Sequence, residues 1–527
     1  MTAADPTAVL GQLMLAFDGV TLPEPMARRL RERPAAGVTL FRNANVADPE
    51  GLRRLTDAIE ALAPAGVPFL VAIDQEGGQL AGLGAASTPF AGAMAVGAVG
   101  DPELAERVGL AVGRELRAAG VNVNYAPVCD LATDPANPGL GVRSFGDDPE
   151  QVSRLVAAFV RGSAAAGVAA TLKHFPGMGA IAADTHHGAV AIGADAGLLR
   201  SRELAPFRSG IAAGVPMVMS GHAAVPAIGD ADLPATSSAA VVTTLLREEL
   251  GFDGVSISDA FNMRALAQGD AGRAIEAIAA LRAGLDLLLL ASDTDAGALD
   301  EALVLAAGRG LLPAGAVAAS LARITALRRR LAEPPMDGEP ELSVIGHASH
   351  RAVADELARR SITLLRDDAT LLPLRSDPGD VILVVMPRPA DLTPADTSST
   401  VPPGLADAIR RHHPRVVECL VAQDPEPDEI ATVAEAARAA DVVVIGTISA
   451  SLQPGQVALV DAVLARERPT VTVALRTPWD ADAYPASRTH ACTYSLLEPS
   501  LLALADALFG RAPFPGRVPV RLAGDAS

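Results

Sequence analysis

The sequence has few cysteines, few aromatic residues and a shortage of positive charge, and each shortage excludes a class of protein. Its three cysteines, Cys129, Cys419 and Cys492, lie far apart without a Cys-x-x-Cys pair. We therefore expect buried thiols rather than disulfides or a zinc site. Aromatic residues make up 3% of the chain, which leaves few surfaces on which a long polysaccharide or single-stranded nucleic acid can stack. If the ligand is a sugar, it is a short one.

Charge and hydrophobic runs exclude further classes. The chain has 62 acidic and 43 basic residues and a net charge of −19, which repels nucleic acid and anionic lipid. No basic segment precedes an apolar stretch at the N-terminus, and no run of about 18 uninterrupted apolar residues follows. We predict a soluble, cytoplasmic protein that has neither a nucleic acid nor a membrane as partner.

Apolar residues are abundant, and their pattern predicts the fold. Half of the 527 residues are hydrophobic. Between residues 38 and 292, short β-branched runs alternate with Ala/Leu/Arg-rich helical stretches; the runs are VTLFR, PFLVAID, VNVNYAP, ATLKHF, PMVMSGH, VSISDA and LDLLLLAS. Continuous apolar strands indicate a parallel sheet that is buried on both faces. Seven or eight such units predict a closed TIM-type (β/α) barrel over residues 1–332.

A second, smaller domain is predicted after the barrel. Residues 333–344 are rich in proline and acidic side chains, which breaks the helical periodicity and indicates a linker. Beyond it, the runs DVILVVM, VVECLV, DVVVIGT and TVTVALR again alternate with amphipathic helices. We predict an α/β sandwich over residues 345–527.

Polar residues that follow the barrel strands are the candidates for ligand binding, because TIM-barrel active sites lie at the C-terminal ends of the strands. Asp74 in AIDQEGG is a carboxylate that can grip vicinal sugar hydroxyls. Arg143 in NPGLGVRSFG, and Lys173 with His174 in LKHFPGMG, would add donors to the same mouth. Each of them alone is as well explained by a capping turn or a surface charge. Together they suggest a neutral, oxygen-rich ligand.

Two further motifs carry acid/base and nucleophilic chemistry. In ADTHHG, Asp184 and His186 are one residue apart, so in an extended loop the carboxylate can orient the imidazole as a proton donor and acceptor. Asp259 ends the buried run VSISDA; with such a histidine opposite, it would supply the nucleophile of retaining glycoside hydrolysis. The alternatives are a structural Asp–His pair, a metal cluster that includes His187, and an N-cap role for Asp259. We expect no metal and no cofactor.

Taken in order, these motifs resemble glycoside hydrolase family 3, in particular its NagZ-like, two-domain β-N-acetylglucosaminidases. The matching motifs are AIDQEGG, NPGLGVRSFG, KHFPGMG, DTH and SDAFNM, while SITLLRDDATLLPL and PFPGRVPV resemble the second domain. The resemblance implies that Asp259 is the covalent nucleophile and that His186, oriented by Asp184, is the acid/base. It assigns sugar binding to Asp74, Arg143, Lys173 and His174.

The resemblance also sets the functional hypothesis. It implies a retaining, exo-acting enzyme that hydrolyses terminal β-N-acetylglucosamine from short cell-wall or chitin-derived saccharides. The alternatives are a phosphorylase acting on the same glycosides, a β-glucosidase of the same family, and an inactive sugar-binding protein. Met178 replaces a polar residue in KHFPGxG and Gln79 replaces an arginine after DQEGG, so the leaving-group preference stays open. So does homodimer formation.

Overall fold

The N-terminal part of the protein is a closed barrel of eight parallel strands. The structure is a computed structural model, which describes residues 5–181, 188–229, 231–267 and 269–523. The barrel strands are β1 (Leu13–Leu15), β2 (Gly37–Thr39), β3 (Leu70–Ile73), β4 (Val123–Asn124), β5 (Ala169–Phe175), β6 (Met217–Ser220), β7 (Val255–Ala260) and β8 (Leu287–Leu289). Each strand pairs with its neighbours in chain order, and β1 closes the barrel against β8. The predicted TIM-type barrel is confirmed.

Strand β1 is absent from the apolar runs that predicted the barrel. It has three residues and follows directly on the 3₁₀ segment Pro6–Gln12. A strand of this length shows no periodicity that could be recognised in the sequence. Successive residues of a barrel strand pack into two different hydrophobic clusters. Met14 and Leu70 belong to the cluster inside the barrel, whereas Leu13 and Val71 belong to the cluster between the strands and the surrounding helices.

Helices surround the barrel. They are α1 (Glu24–Glu32), α2 (Pro49–Glu60), α3 (Pro102–Ala118), α4 (Pro149–Ala165), α5 (Ala205–Ala212), α6 (Ala240–Glu249, wound as a π-helix), α7 (Gly269–Ala283), α8 (Ala296–Gly308) and α9 (Ala314–Leu331). Helices α2, α3 and α4 each begin at an Asp-Pro pair. The caps Asp48, Asp101 and Asp148 accept hydrogen bonds from backbone N–H groups of the first turn, and the following proline starts the helix with a preset φ.

The chain also contains several shorter helical segments. The short helices are Arg42–Asn45, Ala93–Val99, Ala196–Leu198, Leu199–Glu203 and Asp480–Ala483, and the remaining 3₁₀ turns are Gly141–Arg143, Ala235–Ser237, Leu342–Val344, Ser398–Thr400 and Ala450–Leu452. Helix α9 ends at Leu331 and the next long helix begins at Ala348, so the predicted linker lies between two helices.

The second domain is a six-stranded sheet covered by helices on both faces. Its strands are β9 (Thr363–Asp367), β10 (Ile382–Pro387), β11 (Val416–Val421), β12 (Val442–Thr447), β13 (Thr470–Ala474) and β14 (Thr489–Cys492), in the order β9-β14-β13-β12-β10-β11. Strand β9 is antiparallel to β14, and the other pairs are parallel. The helices are α10 (Ala348–Ser361), α11 (Leu405–Arg410), α12 (Pro427–Ala439), α13 (Pro454–Leu464) and α14 (Glu498–Leu508).

The two faces of this sheet have separate cores. Val384 packs with α11 and α14, whereas its neighbour Val385 packs with α12 and α13. This alternation explains why the strands are apolar throughout, and it confirms the predicted α/β sandwich.

The expectation that all cysteines are buried is wrong for one of them. Cys129 and Cys492 are buried, but Cys419 is half-buried because it lies on β11, an edge strand with two exposed residues. In the described ranges, no helix is both long and apolar enough to cross a membrane.

Candidate active site

The barrel strands bring most of the predicted site residues to one mouth. Asp74 directly follows β3, Lys173 and His174 lie in β5, and Asp259 lies near the end of β7. Arg143 ends a 3₁₀ turn in the segment that connects β4 to α4. These are the C-terminal ends of the strands, where the sequence placed them.

Asp74, Glu76, Lys173 and Arg143 form one charge network. The ammonium nitrogen of Lys173 lies 2.6 Å from Asp74 Oδ1 and 2.6 Å from Glu76 Oε1. The guanidinium of Arg143 donates hydrogen bonds to both oxygens of Glu76, from Nε to Oε2 and from Nη2 to Oε1, each 2.8 Å long. A bidentate pair of this kind fixes both orientation and charge. Two cations face two carboxylates, so the network is neutral overall.

Burial differs sharply within the network. The side chains of Lys173, Glu76 and Arg143 are 2%, 4% and 6% exposed, whereas that of Asp74 is 27% exposed. Asp74 is therefore the member of the network that is most open to a ligand. Its position next to a fixed ammonium suits it to bind sugar hydroxyls by charge-assisted hydrogen bonds.

Electrostatics keeps the network ionised. Burial alone would raise the pKa of Glu76, but the charges of Arg143 and Lys173 outweigh it and lower that pKa to about 2. Burial likewise disfavours charged Lys173, but Asp74 and Glu76 raise its pKa above the ordinary value. Neither group can serve as a proton donor or acceptor near neutral pH.

A tight hairpin aims Glu76 at these cations. The segments Gln75–Gly77 and Leu80–Ala81 pair antiparallel. Between them, Gly78 has a φ of 61°, and a Cβ at this position would lie 2.9 Å from the carbonyl oxygen of Ala91. Only glycine combines this backbone conformation with so close an approach.

A second pair of side chains positions a histidine against Asp259. Asp130 Oδ2 lies 2.7 Å from His174 Nδ1, and the Asp130 carboxylate also accepts the backbone N–H groups of His174 and Met178. The other ring nitrogen, His174 Nε2, lies 3.9 Å from Asp259 Oδ2. Asp130 therefore fixes the ring so that Nε2 faces the space next to Asp259.

The Asp259 side chain is hydrogen-bonded to the backbone of the next residue and remains accessible. Its Oδ1 accepts the N–H of Ala260 at 2.8 Å, and its side chain is 17% exposed. Below it, His222 Nε2 donates to the carbonyl oxygen of Ala260 at 3.1 Å. Burial lowers the pKa of His222, so this ring is neutral at neutral pH. Burial and the charges of Asp74 and Asp259 raise the pKa of Tyr125, which stays a phenol on the barrel floor.

Sequence reasoning missed four of these roles. Glu76 stood in the AIDQEGG motif without an assigned partner, and Asp130 was not singled out. The signal for Asp130 was its position after the VNVNYAP run, where the fourth barrel strand ends. His222 and Tyr125 also stand at strand ends, yet both are buried and support the site from below.

Three predicted residues lie outside the described ranges. They are Asp184, His186 and His187, which fall between the described ranges 5–181 and 188–229. Their predicted roles stay predictions. In the part of the chain that the structure describes, no three His, Cys, Asp or Glu side chains form a group that could hold a metal ion.

The two departures from the family pattern have distinct surroundings. Met178 is buried close to Gly221, where a Cβ would lie 2.6 Å from the methionine sulfur. Gln79 contacts the second domain: its Nε2 donates to the carbonyl oxygen of Ala395 at 3.1 Å, and its own carbonyl accepts the N–H of Thr397 at 2.7 Å. Gln79 therefore links the hairpin of the active site to the second domain.

Fold and site together define a class of protein. A parallel barrel presents an accessible carboxylate, Asp259, beside a neutral network of fixed charges that suits a polyhydroxylated ligand. These are the parts that a barrel glycosidase needs.

Comparison with known proteins identifies the family. The sequence model of the glycosyl hydrolase family 3 N-terminal domain matches residues 10–327, and that of the family's C-terminal domain matches residues 362–527. The chain belongs to glycosyl hydrolase family 3.

Individual relatives agree with this result. A β-hexosaminidase A of Pseudoalteromonas piscicida is 33% identical over 393 residues, which are 70% of this chain and 65% of that protein. A β-hexosaminidase of Stenotrophomonas maltophilia (strain K279a) is 37% identical over 57% of this chain and 88% of its own length. A solved structure of a family 3 β-N-acetylglucosaminidase from Paenibacillus sp. str. FPU-7 matches with a TM-score of 0.89 and 33% identity, covering 98% of both chains.

Proposed function

We propose that this protein is a retaining, exo-acting β-N-acetylglucosaminidase. The observation that carries the proposal is the accessible carboxylate of Asp259, which faces His174 at the mouth that Asp74 and Lys173 share. The full-length similarity to a solved β-N-acetylglucosaminidase supports the same substrate class.

In the first step, Asp259 attacks the anomeric carbon of a terminal β-N-acetylglucosamine. A bond forms between its carboxylate oxygen and that carbon, and the bond to the leaving oxygen breaks. His186, oriented by Asp184, donates a proton to the leaving oxygen. The product of this step is an α-linked glycosyl-enzyme together with the released alcohol.

In the second step, water displaces Asp259 from the anomeric carbon. His186 takes a proton from the water as the oxygen attacks the anomeric carbon, and Asp259 leaves as a carboxylate. Two inversions give net retention, and the enzyme returns to its starting protonation state.

The remaining residues bind the sugar. Asp74 and Lys173 hold hydroxyl groups of the ring, and His174 adds a donor or acceptor next to Asp259. Arg143, which was also assigned to sugar binding, hydrogen-bonds to Glu76, and Glu76 in turn contacts Lys173. The substrates are short saccharides from cell wall or chitin, and the protein acts in the cytoplasm.

The experiment is release of nitrophenol from an aryl β-N-acetylglucosaminide, in buffer with and without phosphate, with identification of the sugar product. We expect free N-acetylglucosamine at the same rate in both buffers. A sugar 1-phosphate together with a phosphate-dependent rate would replace hydrolysis by phosphorolysis. The aryl β-glucoside is assayed in parallel. Release of nitrophenol from it, and not from the β-N-acetylglucosaminide, would contradict the assigned sugar.

A further inference from the structure

A segment that follows the last helix of the second domain lies against the barrel. It comprises residues 516–523, and we call it the strap. At one end, the N–H of Gly516 donates to the carbonyl oxygen of Ile362, directly before β9, at 3.0 Å. Towards the other end, Trp479 Nε1 donates to the carbonyl oxygen of Arg521 at 3.2 Å. The second domain therefore holds the strap on both sides of its contact with the barrel.

Between these two anchors, the strap is bonded to the barrel and packed into it. The N–H of Arg517 donates to the carbonyl oxygen of Ala98 at 3.0 Å. The carbonyl oxygen of Pro519 accepts the N–H of Asp147 at 3.1 Å. Val520 is 4% exposed and belongs to the hydrophobic cluster between the barrel strands and their helices. The strap is thus a built part of the barrel surface.

Two glycines of the barrel allow this close contact. Gly146 has a φ of 146°, and a Cβ at this position would clash with the carbonyl oxygen of Pro519. A Cβ on Gly97 would clash with the carbonyl oxygen of Phe145 and lie 3.3 Å from Pro519 Cβ. Any side chain at either glycine would push the strap and the barrel apart.

Asp147 bonds to the strap through its main chain and its side chain. Besides its N–H bond to Pro519, its Oδ2 accepts the backbone N–H of Arg521 at 2.9 Å and lies 3.3 Å from Nε of the same residue. The Asp147 side chain is 14% exposed, whereas that of Arg521 is 78% exposed. An exposed guanidinium adds little to such a pair. The hydrogen bond from the Arg521 backbone is therefore the main side-chain link.

Asp147 ends the loop that begins with Arg143, and this loop is tied to a second part of the site. The hydroxyl oxygen of Ser144 lies 2.6 Å from the carbonyl oxygen of Asp130 and 3.0 Å from that of Gly146. Ser144 is fully buried, so no water competes for these contacts. A shift of the loop would therefore also shift the backbone of Asp130.

Both ends of this connection reach groups of the active site. Arg143 bonds to both oxygens of Glu76, which contacts Lys173. Asp130 orients the ring of His174. Small displacements of positioned groups are costly to a reaction, so a loosened loop should slow it.

We propose that Asp147 is a positioning residue, through which the strap of the second domain fixes the loop that carries Arg143 and is bonded to Asp130. In this way the second domain contributes to the positioning of the site, while the barrel supplies the reacting groups. This inference rests on the proposed hydrolysis of β-N-acetylglucosaminides.

The kinetic test compares two substitutions of Asp147. Asp147→Ala removes the acceptor of the Arg521 N–H, whereas Asp147→Asn keeps an oxygen in its place. On the aryl β-N-acetylglucosaminide, we expect kcat/KM to fall about tenfold for the alanine variant and to recover for the asparagine variant. Rates are divided by the concentration of sites that a slowly hydrolysed fluorinated N-acetylglucosaminyl donor titrates, so that unfolded protein does not count.

The matched control is Glu150→Ala, three residues further along the chain. Glu150 is an exposed carboxylate in the first turn of α4, and its side chain does not contact the strap. The control should keep the parent kcat/KM per titrated site. An alanine variant of Asp147 that equals this control, or an asparagine variant as slow as the alanine variant, would overturn the inference.

Hydrogen exchange gives a readout that does not depend on turnover. A second variant, Trp479→Phe, removes the Nε1 donor that holds the strap from the second domain. Mass spectrometry follows the amides of residues 140–148. We expect faster exchange of these amides in Asp147→Ala and in Trp479→Phe, and parent exchange in Glu150→Ala.

The two readouts separate this inference from the proposed function. Exchange at the parent rate in either Asp147→Ala or Trp479→Phe would overturn the coupling between the strap and the loop. If the parent protein cleaves no β-N-acetylglucosaminide, the proposed function fails, and the exchange of residues 140–148 still decides whether the strap fixes the loop.

Discussion

Two carboxylates at the barrel mouth, Glu76 and Asp259, have opposite surroundings. Glu76 is 4% exposed and shared between Arg143 and Lys173, which hold its pKa at about 2. Asp259 is 17% exposed, accepts one N–H from its own backbone neighbour and faces His174 across 3.9 Å. A carboxylate enclosed by two cations positions other groups. One that is accessible at the barrel mouth can react with a substrate.

The largest effect should come from replacing the accessible carboxylate. Asp259→Asn keeps the shape and removes the nucleophilic charge, so turnover should fall at least ~1,000-fold while the fold persists. Initial rates on the aryl β-N-acetylglucosaminide measure the loss of turnover, and a melting curve checks that the variant is folded. The matched control is Asp253→Asn, an exposed carboxylate just before β7, which should keep its activity. Activity of Asp259→Asn near that of the control would remove Asp259 as nucleophile.

Replacing the enclosed carboxylate should instead cost stability. Glu76→Gln leaves Arg143 and Lys173 with one carboxylate between them, and breaking a buried pair in this way costs ~3–5 kcal/mol of unfolding free energy. Urea denaturation measures the loss. Asp74→Asn is the comparison, because Asp74 is 27% exposed and its removal should cost only about 1 kcal/mol. Equal losses of unfolding free energy in Glu76→Gln and Asp74→Asn would show that burial does not decide how much each carboxylate stabilises the fold.

The same contrast predicts a pH dependence of stability. The folded-state pKa of Glu76 is about 2, below its ordinary value of 4.5, so Glu76 stabilises the fold fully above pH 4.5. That contribution, on the order of 3 kcal/mol, is lost as the pH falls toward 2. Between pH 5 and 3, the free energy of unfolding measured by denaturation should therefore fall more steeply with decreasing pH for the parent protein than for Glu76→Gln. The same pH dependence of the unfolding free energy in both proteins would contradict the low pKa of Glu76.

A smaller effect is expected from Asp130, which acts through His174. Asp130→Asn should lower kcat/KM by ~10- to 100-fold, because a small displacement of a positioned ring is costly. A double-mutant cycle with His174→Ala separates positioning from folding. If Asp130 acts through the ring, the double variant should lose no more activity than His174→Ala alone. Additive losses would show an independent role for Asp130.

Much of the fold could be predicted from sequence because most strands of both domains are buried on both faces. Seven of the barrel strands stood out as apolar runs, and the missing one, Leu13–Leu15, was too short to show a period. In the second domain, β9 and β14 were missed. Strand β14 carries Thr489 and His490, polar side chains that are buried through hydrogen bonds to Asp367 and Thr472, so its composition concealed it.

The site was predictable only in part. Position at strand ends placed Asp74, Lys173 and Asp259 at one mouth, which is a property of the fold. Partner choice was not predictable: Lys173 pairs with Asp74, 99 residues away, and His174 pairs with Asp130, 44 residues away. No local spacing encodes such pairs, because only the closed barrel brings the two residues of each pair together.

The most direct test of the account is to trap the covalent intermediate. A fluorinated N-acetylglucosaminyl donor that glycosylates the enzyme quickly and hydrolyses slowly should add one sugar to the protein. Peptide mass spectrometry should locate that sugar on Asp259. A label on another residue, or an unlabelled protein that turns over the donor, would contradict the claim that the accessible carboxylate of β7 is the nucleophile.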